Sequence, residues 1–419
     1  MAKDKKVLVI GGGGREHSIV EAFSRSPQVA RIYCAPGNAG TALLAENVPL
    51  KDTDIEGLEK FAKDNSVDLT VVGPEAALAE GIVDSFRAAG LRIFGHTKAA
   101  ARIETSKEFA KQVMARYDVP TAAYRTFTDY SQAFEYVSSR PFPAVLKYDG
   151  LAAGKGVVIA QDIKEAETAL KDMLLDGRFG IGKVVIEDFL TGPEFSFMCF
   201  VSGNRIWPMP LAQDHKRAFD GDKGPNTGGM GAYTSLPFIS DADQKYALEK
   251  IMRKVAEGMV SEGSPLTGVL YGGLMKTSCG IKVIEFNARF GDPETEVVLP
   301  LLKSDAYEIF SAVADGKDAA APQWSSETTM GVVLASKGYP GSYQKGFEIL
   351  GTENVEGMVF HMGTKRENGS LLTSGGRVLM CVAKGENLAQ VRRKVYDDVS
   401  RISCTNLYFR KDIAHIAFE

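Results

Sequence analysis

Four consecutive glycines, Gly11 to Gly14, stand between an apolar run at residues 7–10 and a helical pattern at residues 17–23. A short apolar strand that turns on glycine and restarts as a helix opens a parallel β-α-β arrangement, because parallel strands need a crossover between them. Strand-like runs recur at residues 31–34, 70–72 and 92–94, with a helical stretch predicted at 78–89. This alternation predicts an open parallel sheet over about the first hundred residues. Helical patterning at 98–117 stops before Val119-Pro120, since the residue preceding a proline is pushed out of the helical region. A second α/β unit is predicted at 121–190, with strands near 144–147, 157–159 and 184–186 and a helix near 166–175. Residues 191–324 mix strands with a long polar loop, and 315–326, rich in Ala, Asp and Ser with Pro322, reads as a linker. The tail carries strands near 330–336 and 378–382 and a helix near 388–400.

A chain of 419 residues exceeds one ordinary core. Its 44% hydrophobic and 24% charged residues suit a globular protein. The formal charge, 49 − 53 = −4, gives no basic surface for nucleic acid. Five scattered cysteines (Cys34, Cys199, Cys279, Cys381, Cys404) lack a C-x-x-C pair, which points to a reducing compartment. No signal-peptide core and no membrane-length apolar run is present, so a cytoplasmic enzyme that engages no membrane is expected.

The glycine turn can bind an anion, because backbone N–H groups and the helix dipole point out of the helix start. It fails the dinucleotide pattern: counted from Gly11 as G-x-G-x-x-G, the last position is Glu16. A phosphate-bearing substrate fits better, and a plain structural turn is the alternative. The segments Pro36-Gly37-Asn38-Ala39-Gly40-Thr41 and Val72-Gly73-Pro74-Glu75 also follow strands, where open α/β sheets bind ligands. Lys147 leads into Asp149-Gly150-Leu151-Ala152-Ala153-Gly154-Lys155-Gly156, a glycine-rich hairpin loop that is not a Walker A sequence but can fold over phosphates. The apolar run ending Glu187-Asp188-Phe189-Leu190, with Glu194 beyond, offers an adenine slot and a ribose acceptor. Gln213-Asp214-His215-Lys216-Arg217 begins a polar loop reaching Tyr233, long enough to expect a substrate-closing role. Finally, Glu285, Asn287 and Arg289 alternate on an expected strand, so they share one face. Carboxylate and amide oxygens suit Mg²⁺, and a guanidinium clamps carboxylate or phosphate. Together they suggest phosphoryl transfer from a nucleotide.

With these segments in this order, the chain resembles the ATP-grasp ligases over essentially its whole length, and within them the glycinamide ribonucleotide synthetase family of purine biosynthesis. The resemblance implies an α/β fold, α+β in parts, with four pieces: an N-terminal open-sheet domain at 1–102, a catalytic domain at 103–120 and 191–325, a lid at 121–190, and a C-terminal domain at 326–419. It implies an ATP-dependent ligation of glycine to 5-phosphoribosylamine through glycyl phosphate, by a monomer or weak homodimer. Glu285 and Asn287 would hold Mg²⁺ or Mn²⁺. Arg289, Asp214, Lys216 and Asp292 would serve catalysis. Lys107, Lys147, Gly154, Lys155, Gly156, Glu187, Phe189, Leu190 and Glu194 would bind ATP. Gly13, Gly14, Arg15, Glu16, Asn38, Arg217, Asn226 and Gly228 would contact the other substrates. Rival readings are another carboxylate–amine ligase or carboxylase of this fold, and a non-catalytic nucleotide binder. The chain departs from the family pattern at His96 (for proline), Tyr148 (for alanine), and Ala414 and Ile416 (for Gly and Arg).

Overall fold

The computed structural model describes residues 3–150, 156–177, 180, 182–318 and 320–418. Leu151, Ala152, Ala153, Gly154 and Lys155 of the glycine-rich loop lie outside them, so the ATP-binding expectation for Gly154 and Lys155 has no structural description.

The first sheet holds β1 (Lys5–Gly11), β2 (Val29–Pro36), β3 (Glu46–Asn47), β4 (Leu69–Val72) and β5 (Ile93–Phe94), all parallel in the order β3-β2-β1-β4-β5. Its central strands are nearly continuous apolar runs because helices cover both faces. Two helical stretches that the periodicity joined are each broken in two. Gly81, at φ +91°, ends Glu75–Glu80 before Ile82–Ala88 begins. Ser106 ends Lys98–Thr105 and caps Lys107–Arg116, its hydroxyl accepting the Phe109 N–H at 3.1 Å.

Residues 121–190 form a small unit of β6 (Tyr124–Phe127), β7 (Ala144–Tyr148), β8 (Val157–Ala160) and β9 (Val184–Asp188), in the order β6-β9-β7-β8. Helices Tyr130–Ser138 and Ile163–Leu174 pack on it around a separate apolar cluster that includes Leu146, Leu170 and Ile186.

The largest sheet has ten strands: β10 (Glu194–Ser202), β11 (Arg205–Pro208), β12 (Ala212–Asp214), β15 (Gly231–Thr234), β16 (Thr267–Thr277), β17 (Gly280–Asn287), β18 (Thr328–Ser336), β19 (Met358–His361), β22 (Arg377–Gly385) and β23 (Leu407–Tyr408). Two hairpins stand apart, β13 (Arg217–Phe219) with β14 (Lys223–Asn226) and β20 (Thr364–Glu367) with β21 (Ser370–Thr373). The polar loop after β12 therefore carries a hairpin of its own. The main path, β17-β16-β10-β12-β15-β18-β22-β19, crosses residue 326 without a break, since β15 pairs with β18 through Gly231↔Val332. One apolar core runs under this sheet and the N-terminal sheet together. Among the described residues no helix is long and apolar enough to cross a membrane.

Two of the departures have clear structural roles. His96 is fully buried; its ring bonds the Val269 carbonyl at 2.8 Å and accepts the Thr267 N–H at 3.0 Å, ties to β16 that a proline could not make. Burial holds its imidazole down to about 4, so it is neutral. Ala414 holds φ +68°, the left-handed backbone a glycine adopts without strain, and its N–H donates to His215 at 3.1 Å.

The C-terminal segment grips the β13–β14 hairpin through Arg410, a guanidinium 1% exposed that reaches Asp222 and Asp412 at 2.8 Å and the Arg217 carbonyl at 3.0 Å. Asp412 accepts the Gly221 N–H, and Asp220 accepts that of Lys411. Arg410→Met is expected to cost about 1–3 kcal/mol in denaturant unfolding, the scale of charged hydrogen bonds lost beside half-exposed partners. The Gly221 and Lys411 amides should exchange faster. Unchanged exchange at both would show that the segment does not hold the hairpin.

Candidate active site

The described cleft lies where the small unit meets the ends of β17 and β10, with a volume of about 290 Å³. Apolar Val145, Ile159, Phe189, Leu190, Met275 and Ile284 line one part of it. Lys107, Lys147, Lys216 and Arg289 line the other, around Glu285 and Asn287. Each cation comes from a different element, so only the tertiary fold assembles them.

β17 ends at Asn287, so Glu285 and Asn287 alternate on the strand while Arg289 sits in the turn beyond it; the expected strand face is two residues long rather than three. Phe286, between them, is buried on the opposite side. Burial alone would raise the Glu285 carboxyl, but Lys107, Lys216, Lys147 and Arg289 bring it down to about 2. Lys107 Nζ lies 3.7 Å from it. The Asn287 amide, oriented by its partners, turns its nitrogen to Glu104 Oε1 at 3.2 Å and the Phe286 carbonyl at 3.3 Å, which leaves its oxygen as the atom that can ligate a cation. An ionised carboxylate and an amide oxygen on one strand face are hard donors that fit Mg²⁺. Among the described residues no group of three or more His, Cys, Asp or Glu could cage a metal. A cation held by this pair is therefore one completed by phosphates and water.

Arg289 is paired on both sides. Its guanidinium meets Glu104 at 3.1 Å and Glu75 at 3.3 Å, while the Ala288 N–H donates to Glu104 at 2.7 Å. Burial opposes its charge, but Glu104 and Glu75 outweigh burial and raise its pKa. Glu75 and Glu104 were not among the expected site residues; Glu75 closes the Val72–Glu75 segment noted in the sequence, whereas nothing local marked Glu104.

Beside this lies an acid-and-lysine cluster. Lys216 pairs with Glu194 at 3.0 Å, and Asp214 precedes it at the end of β12. Burial pushes the Asp214 carboxyl up to about 7, with Lys216 opposing and Glu294 and Glu194 adding to the rise. Glu294 is buried and accepts from Ser196 at 2.7 Å and Tyr271 at 2.8 Å. Asp292 does not line the cleft. Arg377 holds its carboxylate at 3.0 Å and its carbonyl at 2.9 Å, and donates to the Gly228 carbonyl at 2.6 Å. Arg377, unforeseen from sequence, thus ties Asp292 to the polar loop. Asn226 lines the cleft, whereas Arg217 donates to Gly224 within its hairpin.

The glycine turn sits next door rather than in the cleft. Gly11, at φ +118°, leaves room for Glu16, whose carboxylate accepts the Gly13 N–H at 2.6 Å and the Arg15 guanidinium at 2.6 Å. Asn38 donates to the carbonyls of Gly12 and His361 and accepts the N–H groups of Gly40 and Thr41. Both side chains are occupied in holding the turn. What remains is the Gly14 N–H at the start of helix Gly14–Ser24, and Arg15, which reaches toward the cleft through Glu75 at 4.0 Å.

A small antiparallel unit closing over a cationic cleft at the end of a large sheet defines an ATP-grasp enzyme. Family models for phosphoribosylglycinamide synthetase match three consecutive stretches: the N domain at residues 5–104, the ATP-grasp (A) domain at 105–295 and the C domain at 329–416. The phosphoribosylamine–glycine ligase of Halalkalibacterium halodurans is 51% identical over 411 residues, 97% of this chain and 96% of that one. The crystal structure of the phosphoribosylamine–glycine ligase of Thermotoga maritima superposes with a TM-score of 0.85 at 34% identity, covering 98% of this chain and 100% of that one. The biotin carboxylase domain of the Hydrogenobacter thermophilus 2-oxoglutarate carboxylase, solved with MgADP, shares the fold at 13% identity and a TM-score of 0.74, covering 97% and 91%. The chain belongs to the phosphoribosylglycinamide synthetase family.

Asn287→Ala removes one oxygen of the Glu285–Asn287 pair and the amide's hydrogen bonds to Glu104 and the Phe286 carbonyl. Turnover should fall about 100-fold, the scale of losing one preorganised electrostatic partner, and the Mg²⁺ concentration for half-activity should rise. Unchanged Mg²⁺ dependence in the folded variant would remove Asn287 from the metal site.

Proposed function

We propose that this protein is a phosphoribosylamine–glycine ligase, which joins glycine to 5-phosphoribosylamine at the expense of ATP in purine biosynthesis. The observation that carries this is one cleft in which four cations converge on Glu285 and Asn287 beside the Asp214–Lys216 cluster. A carboxylate is a poor acyl donor because its leaving group is an oxide. Phosphorylation cures this. A glycine carboxylate oxygen attacks the γ-phosphorus of ATP, the bond to the β,γ-bridging oxygen breaks, and ADP leaves. The amine of phosphoribosylamine then attacks the carbonyl of glycyl phosphate. The C–N bond forms, the C–O bond to phosphate breaks, and the ammonium proton passes to a carboxylate.

Lys107 and Lys147 neutralise the triphosphate; Gly156 borders the cleft, and Gly154 and Lys155 are assigned to ATP from the sequence. Glu187, Phe189, Leu190 and Glu194 take the adenosine. Mg²⁺, or Mn²⁺ in its place, would be held by Glu285 and Asn287 and would screen the phosphate oxygens. Arg289, fixed by Glu75 and Glu104, faces the transferring phosphoryl group or the glycine carboxylate. Asp214, Lys216 and Arg217, with Asn226, Gly228 and Asp292, border the glycine and amine side. The Gly13, Gly14 and Arg15 turn takes the ribose phosphate, with Glu16 and Asn38 bracing it. We place the enzyme in the cytoplasm, acting on small molecules as a monomer or weak homodimer.

ADP release should require MgATP, glycine and freshly generated 5-phosphoribosylamine together, with glycinamide ribonucleotide formed. Release indifferent to glycine or to the amine would overturn the substrate assignment. An ionised Asp214 suits the glycine ammonium, and its carboxyl sits near 7. kcat/KM for glycine should therefore rise with pH through about 7 as Asp214 loses its proton. In Asp214→Asn that inflection should vanish.

A further inference from the structure

Behind the cleft, two buried ammonium groups share one carboxylate. Glu187 lies between two lysines, with Lys147 Nζ 2.9 Å from Oε1 and Lys111 Nζ 2.8 Å from Oε2. Lys147 and Glu187 line the cleft; Lys111, 2% exposed, does not. Lys111 is spoken for on its other sides. It donates to Thr121 Oγ1 at 2.8 Å, which in turn donates to the Val283 carbonyl at 2.7 Å, and its ammonium sits 5.4 Å over the Tyr124 ring. Lys147 has one further partner, the Ile284 carbonyl at 2.8 Å. Glu187 therefore competes with a nucleotide phosphate for the Lys147 amine. A carboxylate stripped of its cation in a buried site is costly. A second, permanently attached ammonium removes that cost, because Glu187 stays paired when Lys147 turns to phosphate.

We propose that Lys111 is a positioning residue for nucleotide binding: by holding Glu187 from behind, it frees Lys147 for the phosphates without touching the nucleotide itself. This rests on the reading of the cleft as the ATP site. Burial pushes the Lys111 ammonium down to about 8, Glu187 pulls it up and Lys147 pushes it down.

The test is a four-corner cycle on the full chain, reading MgADP binding by titration calorimetry and steady-state kinetics for ATP. Lys111→Met should weaken MgADP binding and raise KM for ATP by about 10-fold, within the range of couplings between contacting charges, while kcat at saturating ATP stays within about threefold. In a Glu187→Gln background the same substitution should change the MgADP Kd by less than about twofold, because no carboxylate remains to hold Lys147. Lys111→Gln keeps a donor for Thr121 but loses the charge, and serves if the methionine variant does not fold. An unchanged Kd in the Lys111 variants, or an equal loss in both backgrounds, would overturn the proposal by making Lys111 merely structural. Wild-type protein that fails to bind MgADP would instead overturn the ATP site itself.

Discussion

The site hangs on the pairing of Arg289 with Glu104 and Glu75. A guanidinium taken out of water is tolerated only where carboxylates meet it, and here they arrive from two helices outside the large sheet. Glu104 comes from helix Lys98–Thr105 and Glu75 from the start of helix Glu75–Glu80. Glu104 also receives the Ala288 N–H and the Asn287 amide, so the same carboxylate that neutralises the arginine orients the proposed metal ligand. The end of β17 is thereby docked to the N-terminal domain by charge and hydrogen bonds together. Disturbing Glu104 would move Asn287, Ala288 and Arg289 at once.

Much of the fold was legible where strands are short, apolar and parallel. The first sheet follows the alternation of runs and helices, because burial on both faces writes an unbroken apolar signature. Long antiparallel strands were harder. β10 and β16 are buried through nearly all their length, so they lack the two-residue alternation that marks a half-exposed strand. The breaks at Gly81 and Ser106 vanished into a continuous helical period, although glycine and serine were the local signs of them. In the cleft, residues with a local signature stood out in the sequence: Glu285 and Asn287 by strand alternation, Lys147 by the apolar run before a glycine-rich loop and Lys216 by a long polar loop, whereas Lys107 came only with the family resemblance. Residues defined by a distant partner could not. Lys111 and Arg377 are the examples: each is far in sequence from its partner, Glu187 or Asp292, and reads alone as an ordinary charge on a helix or strand. Glu16 and Asn38 show the reverse: they were marked by position in a ligand-binding turn, but their side chains brace the backbone that faces outward.

The C-terminal region is tied to the loop between β12 and β15 and to the turn after β17 at two points. Arg377 on β22 links the Gly228 and Asp292 carbonyls, and Arg410 anchors the β13–β14 hairpin. The charge that differs from the family pattern at Ile416 is not part of either tie. Ala414 takes a left-handed backbone of the kind glycine adopts without strain, and its N–H ties the segment to His215.

The uninterrupted ladder from β15 to β18 has a further consequence for how such a chain can be divided or joined. The stretch at 315–326 has the composition of a tether, yet the strands on either side of it share a sheet. Severing there would strand a row of unpaired N–H and C=O groups on β15, an adhesive margin that invites self-association. The two halves would be obligate complements rather than independent modules, and a split version would work only if both pieces met before either found another edge.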